Sequence, residues 1–283
     1  MLRSIASTFF LSITLISVAP VAAAPFSFST GNPDGKIGTA SRPSSTGKIE
    51  IETGDDFILN APTNIDKITF VGLLPNGATV GNLHLEMYRV FPEDSTNPPS
   101  GNVPTRVNSP SDVAFEERDA GAGDLTFTTQ VLNNNFTVSN SVVDGINKSP
   151  NQFTGGEGPV TGQEVLFTAS FSNPFSLPTD HYFFIPQVEV NGGEFLWLSA
   201  PKPIVAPGTP FAPDLQSWIR NENLAPDWLR IGTDITHQGP FNATFSLSGT
   251  EVPEPGTLAL FASGMAILVG VFREKRQRVA CDL

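Results

Sequence analysis

Three histidines and three tryptophans are the side chains best suited to chemistry or recognition. His84, His181 and His237 stand far apart along the chain. No His-Glu-x-x-His and no Cys-x-x-Cys brackets them, so no zinc motif is spelled out. A Gly-x-Ser-x-Gly elbow and a glycine-rich phosphate loop are also missing from the sequence. These residues nominate no catalytic group, no cofactor and no metal site, and the expectation is a protein that is not an enzyme. Asp55-Asp56, Glu93-Asp94 and Glu116-Glu117-x-Asp119 with Asp124 hold the oxygen ligands that calcium takes. None follows the twelve-residue EF-hand order, so they read as solvated carboxylates. Trp197, Trp218 and Trp228 are candidates for sugar stacking, because an open indole face binds a pyranose ring.

The elements that must position these groups read as strands. Lys48 to Glu52 alternates apolar with charged residues, and Leu83, Leu85 and Met87 alternate with His84, Glu86 and Tyr88. Similar stretches occur at 67–71, 124–131, 164–171, 181–190, 194–199, 228–232 and 241–247, with 55–59 and 135–138 as additions. That predicts about eleven strands divided by Gly, Pro, Asn and Asp, with no helical stripe sustained over four turns between residues 30 and 250. The expected fold is all-β: a single antiparallel β-sandwich, jelly-roll-like, followed by a C-terminal transmembrane helix. Proline clusters at 92–110 and 201–213 cannot enter a central strand and read as long stiff loops.

Composition agrees. Gly 25 and Pro 25 in 283 residues favour turns, and Phe 22 against Met 3 suits pleated surfaces. The net charge is −12, and residues 24–251 alone hold 25 acidic against 11 basic side chains. Such a surface repels nucleic acid, which is excluded as a partner. Cys281 is the only cysteine, so the middle of the chain relies on core burial rather than disulfides.

Both ends read as addresses. Arg3, an apolar run over 5–18 and the small residues up to Ala24 form a secretory signal peptide. Pro25 disfavours a cut after Ala24, so cleavage is expected after Ala23, giving a signal peptide over 1–23 and a sandwich domain over 24–251. At the other end Val252, Pro253, Glu254 and Pro255 precede an apolar run over 257–272, then Arg273, Lys275, Arg276 and Arg278, with a cytoplasmic tail over 279–283. The 16-residue run spans roughly 24 Å as a helix, short but workable against a hydrocarbon core of about 30 Å. The cations act as a stop-transfer signal and leave the large domain outside. Pro253 and Pro255 keep the backbone extended at the membrane face, as a processing enzyme requires.

This arrangement over 252–278 resembles the PEP-CTERM sorting signal of Gram-negative bacteria, also called an ice-binding protein C-terminal domain. The resemblance implies processing by an exosortase-type enzyme, transient or permanent anchoring in the inner membrane, and a final place at the cell surface or in the extracellular matrix. It covers the tail and the N-terminal signal, not the central domain. The expected function is that of an exported, non-enzymatic cell-envelope or biofilm-matrix protein. The alternatives are a carbohydrate-binding module for exopolysaccharide and a secreted hydrolase or lyase.

Overall fold

Leu83, Leu85 and Met87 are fully buried, and the alternate residues of the same strand face the other way. That strand belongs to one of two sheets in the computed structural model, which describes residues 23–96, 101–146 and 153–252, with Gly264 alone beyond them. Strands are numbered in chain order.

The larger sheet holds nine strands. Its main path runs β1 (Pro25–Ser29), β15 (Phe245–Glu251), β4 (Thr63–Leu74), β11 (Leu196–Ala200), β2 (Ile37–Ala40) and β8 (Asn140–Val142). β9 (Val160–Leu177) pairs with β4 and with β7 (Leu125–Val138), and β14 (Asn242–Ala243) pairs with β11. The smaller sheet holds six strands in the order β13 (Leu229–Arg230), β12 (Trp218–Asn221), β3 (Ile51–Leu59), β10 (Asp180–Asn191), β5 (Thr79–Arg89) and β6 (Glu116–Asp119). One turn of π-helix, Ile231–Ile235, follows β13.

The sheets pack face to face through aromatic side chains. Phe57 meets Phe245, Phe70 meets Phe184, and Phe184 meets Trp197, with ring centroids 6.2, 6.1 and 5.6 Å apart. Offset and edge contacts of this kind add to the area each ring buries. In β4 the buried residues Ile65, Ile68 and Phe70 break the two-residue period once. A β-bulge between Ile65 and Lys67 supplies the extra residue and returns Ile68 to the core.

The pairing is not wholly antiparallel. β2 runs parallel to β8, with Ile37 opposite Asn140, which the long intervening chain permits. The expected strand at 48–52 is displaced into β3, where Asp55 and Asp56 sit in mid-strand at 0% and 1% exposure, not in a solvated loop. The expected strands at 124–131 and 135–138 are one continuous β7. Residues Ala24–Val252 form one compact unit. Among the described residues no helix is long and apolar enough to cross a membrane. The segment expected to do so, 257–272, lies outside the described residues except for Gly264.

Candidate functional site

The six-stranded sheet is covered on both faces, and its outer face carries most of the polar chemistry. Residues directly opposite each other on antiparallel strands share a face. His84 lies opposite Gln187 and Asp119, and Glu86 opposite Ile185 and Glu117. On the far side of the sheet, Arg220 lies opposite Glu52 and Trp218 opposite Gly54. One face therefore brings together Glu52, Glu86, Glu117, His84, Gln187, Tyr88 and Arg220.

Half of this face is satisfied internally. Arg220 grips Glu52 with two guanidinium nitrogens, Nε and Nη2, and donates from Nη2 to the Tyr88 hydroxyl at 3.0 Å. Tyr88 donates to Glu52 Oε1 at 2.7 Å. Such a bidentate pair is stronger than a neutral hydrogen bond and fixes orientation as well. The same guanidinium stacks 4.3 Å from the Trp228 ring.

The other half is not charge-balanced. Gln187 Nε2 donates to Glu86 Oε2 and to Glu50 Oε1, each at 3.1 Å. Burial pushes the Glu86 carboxyl well above the usual carboxylate range, and the negative charges of Glu52 and Glu50 push it further. Glu50 is raised for the same reasons, burial first and Glu52 next. His84 Nε2 lies 3.4 Å from Glu117 Oε2. A cleft of about 450 Å³ opens onto Glu86, Glu117, Tyr88 and Arg220 beside the 112–116 segment.

A second polar group ties the sheets together. Asp55 accepts from the Ala243 N–H at 2.9 Å and from the Ser217 hydroxyl at 3.0 Å. Its neighbour Asp56 contacts His181 Nε2 at 2.6 Å and accepts from the Leu215 N–H at 3.1 Å. Burial raises both carboxyls; the Asp56 charge raises Asp55 further, whereas the hydrogen bond and charge of His181 hold Asp56 down in part.

The tryptophans correct the sequence expectation. Trp197, Trp218 and Trp228 are 0%, 1% and 0% exposed, so none offers an open stacking face. Trp197 lies in the inter-sheet core and donates to Thr244 O at 2.8 Å. Trp218 and Trp228 lie under the outer cover with Tyr88, Phe183, Ile185 and Leu215, and Trp228 donates to Ser111 O at 3.0 Å. Rings of this size fill the space between the sheet and its cover. Trp218 Nε1 has no hydrogen-bond partner among the described residues, and its ring borders a cleft of about 360 Å³ with Lys202, Asp214, Gln216 and Arg230.

Gln187, Glu50 and the Arg220–Glu52–Tyr88 network were not singled out from the sequence. The alternation of Lys48 to Glu52 already put Glu50 and Glu52 on one face and was the available signal.

The remaining expected residues concern the ends. Ala23 is exposed ahead of β1. Ala24 O accepts from the Glu251 N–H at 2.8 Å, and the Val252 N–H donates to Pro62 O at 2.7 Å. The entry and exit of the domain are thus neighbours at one end of the larger sheet. Pro253, Glu254, Pro255, Arg273, Lys275, Arg276 and Arg278 lie outside the described residues.

The described residues are mostly β, two packed sheets whose last strand ends where the tail begins. A family model described as the PEP-CTERM protein-sorting motif matches residues 251–276, beginning on the final residue of β15. The chain carries that motif, which marks an exported protein handled by an exosortase and anchored in the membrane before processing. No curated protein and no solved structure matches the chain.

Proposed function

We infer that the protein is a non-enzymatic component of the cell envelope or biofilm matrix, released to that place when an exosortase-type enzyme acts at Pro253-Glu254-Pro255. The observation that carries this reading is the sorting motif joined to the domain without a spacer, Val252 being both the last hydrogen-bonded residue of the sandwich and part of the match. One feature supports a structural role. β7 pairs only with β9 and presents fourteen residues without a single charge at a sheet edge, with Val131 and Leu132 nearly half exposed. Most edges carry charges that block pairing with another chain, so an uncharged edge suits assembly in a matrix.

Mass spectrometry of the surface and matrix fractions tests the reading. The expected product begins at Ala24 and lacks residues 257–283. Recovery of the chain only in the inner membrane, with Leu283 intact, would overturn it.

Binding of exopolysaccharide is the second reading, favoured by the cleft beside Trp218. Lys202, Asp214 and Gln216 line it and offer donors and acceptors for sugar hydroxyls. A glycan array with wild type and Gln216→Ala decides it; equal signals, or none, would reject this cleft.

A further inference from the structure

Glu86 and Glu117 lie directly opposite each other on neighbouring strands, a placement that is unfavourable for two like charges. His84 sits two residues from Glu86 on the same face. The imidazole nitrogen and the two carboxylate oxygens lie within 4.8 Å of one another. Side-chain exposure grades across the group: Glu117 is 66% exposed and His84 21%, while Glu86 as a residue is 6% exposed. Of the guanidinium groups on this face, Arg220 is already engaged by Glu52, Tyr88 and the carbonyl of Asp112, and Arg230 by Asp234. No cation is left for Glu86, Glu117 and Glu50 on this face among the described residues.

An independent feature points to a ligand. Gln187 is fully buried, and its Oε1 has no hydrogen-bond partner among the described residues. Its amide head is held at the cluster, because Nε2 donates to Glu86 Oε2 and Glu50 Oε1 while the residue stands opposite His84. Flipping the amide would turn its oxygen onto two carboxylates, so the nitrogen is the atom that faces them and the oxygen is the atom without a partner. Leaving a buried acceptor unpaired costs on the order of 1–3 kcal/mol, a penalty that a cation or its bound water would remove.

We propose that His84 Nε2 and the carboxylates of Glu86 and Glu117, backed by Gln187, bind one divalent transition cation of the Zn²⁺ or Mn²⁺ type. The donor set decides the class. Calcium takes oxygen ligands, six to eight of them, whereas a site with an imidazole nitrogen and few carboxylates suits first-row metals. The cleft that opens onto Glu86 and Glu117 gives the ion its path. Gln187 supports the buried carboxylate from behind, as outer partners of metal ligands commonly do. Bound metal would cross-link β5 to β6 and pin the end strand of the smaller sheet.

The test is calorimetric titration of the chelator-stripped full chain in detergent with Zn²⁺, Mn²⁺ and Ca²⁺ separately. One equivalent of Zn²⁺ or Mn²⁺ should bind, with Ca²⁺ at least tenfold weaker. His84→Ala and Glu117→Gln should each weaken binding tenfold or more. His237→Asn, at an exposed histidine away from the cluster, should leave it unchanged. Both ligand changes are at partly exposed side chains, so the metal-free melting temperature should stay within a few degrees; if His84→Ala does not fold, Glu117→Gln decides alone. Absence of binding would mean that a proton on Glu86 relieves the repulsion instead, and the proposal fails. Full affinity in His84→Ala, or Ca²⁺ bound more tightly than both other ions, would overturn it as well.

Discussion

Arg106 Nη1 lies 3.1 Å from Asp227 Oδ1, a pair 121 residues apart in sequence with side chains 1% and 0% exposed. Arg106 also donates to Ser109 Oγ, Pro110 O and Asp112 Oδ1, and its guanidinium lies 4.8 Å from the Phe91 ring. One side chain thereby fastens the 101–112 cover to the segment that leads into β13. Removing one partner of a buried pair strands the other charge, which costs about 3–5 kcal/mol. Arg106→Ala should therefore lower the urea midpoint sharply. Arg106→Lys should recover little, because one ammonium cannot span four acceptors set around a planar fork. A midpoint within experimental error of wild type for either variant would show that the cover is held elsewhere.

Asp55 links the sheets through Ala243 and Ser217 while its own titration opposes folding at neutral pH. Burial above all, then Asp56, raises its carboxyl well above the ordinary value of 3.8. Between that ordinary value and the raised one, the native chain holds a proton that the unfolded chain has lost. The contribution to stability is thus fully present on the acid side and is lost as pH rises through the raised value. Asp55→Asn keeps the acceptor for Ala243 and can donate to Ser217 Oγ, whose hydroxyl turns to Phe241 O. Urea midpoints at pH 5 and pH 7.5 should fall with pH in wild type, and fall less in the variant. An equal fall in both proteins would mean that Asp55 is not the titrating group.

Trp228 is packed edge-on against Tyr88, with centroids 5.7 Å apart, and capped by Arg220. Trp228→Ala opens a cavity under the cover and should cost roughly 3–5 kcal/mol. A stacking platform on the surface would lose almost nothing. Thermal unfolding of the two proteins separates these cases.

Much of this arrangement was readable from alternation. The split of Leu83, Leu85 and Met87 from His84, Glu86 and Tyr88 is the split between core and outer face. Alternation could not tell that the outer face is covered too. Asp55-Asp56 looks like a solvated acidic pair because neighbouring residues cannot announce that chain from 101–115 and 201–217 will lie over β3. The same blindness made Trp218 and Trp228 look available to sugars. Glu50 and Gln187 meet across 137 residues of sequence, a contact set by strand order rather than by any local pattern. The tail was legible because its signal is composition in a fixed order, which needs no tertiary contact to be read.

The basic residues after the apolar run make the last prediction. Arg273, Lys275, Arg276 and Arg278 follow the 257–272 segment at once. Charged side chains are costly in a bilayer centre, about 2.5–3.5 kcal/mol each on insertion scales, so four together are expected to halt export and keep this end inside. The halt is expected to hold Pro253-Glu254-Pro255 at the outer face, directly after Val252, which the Pro62 carbonyl fixes to the folded domain. Replacing all four with serine removes the halt without touching the domain or the motif. The tail should then slip or misorient, and the share of chain that loses residues 257–283 should drop. Quantifying C-terminal peptides in the membrane and matrix fractions measures that share. Undiminished processing in the serine variant would show that the apolar run alone stops transfer and that the cations serve another purpose.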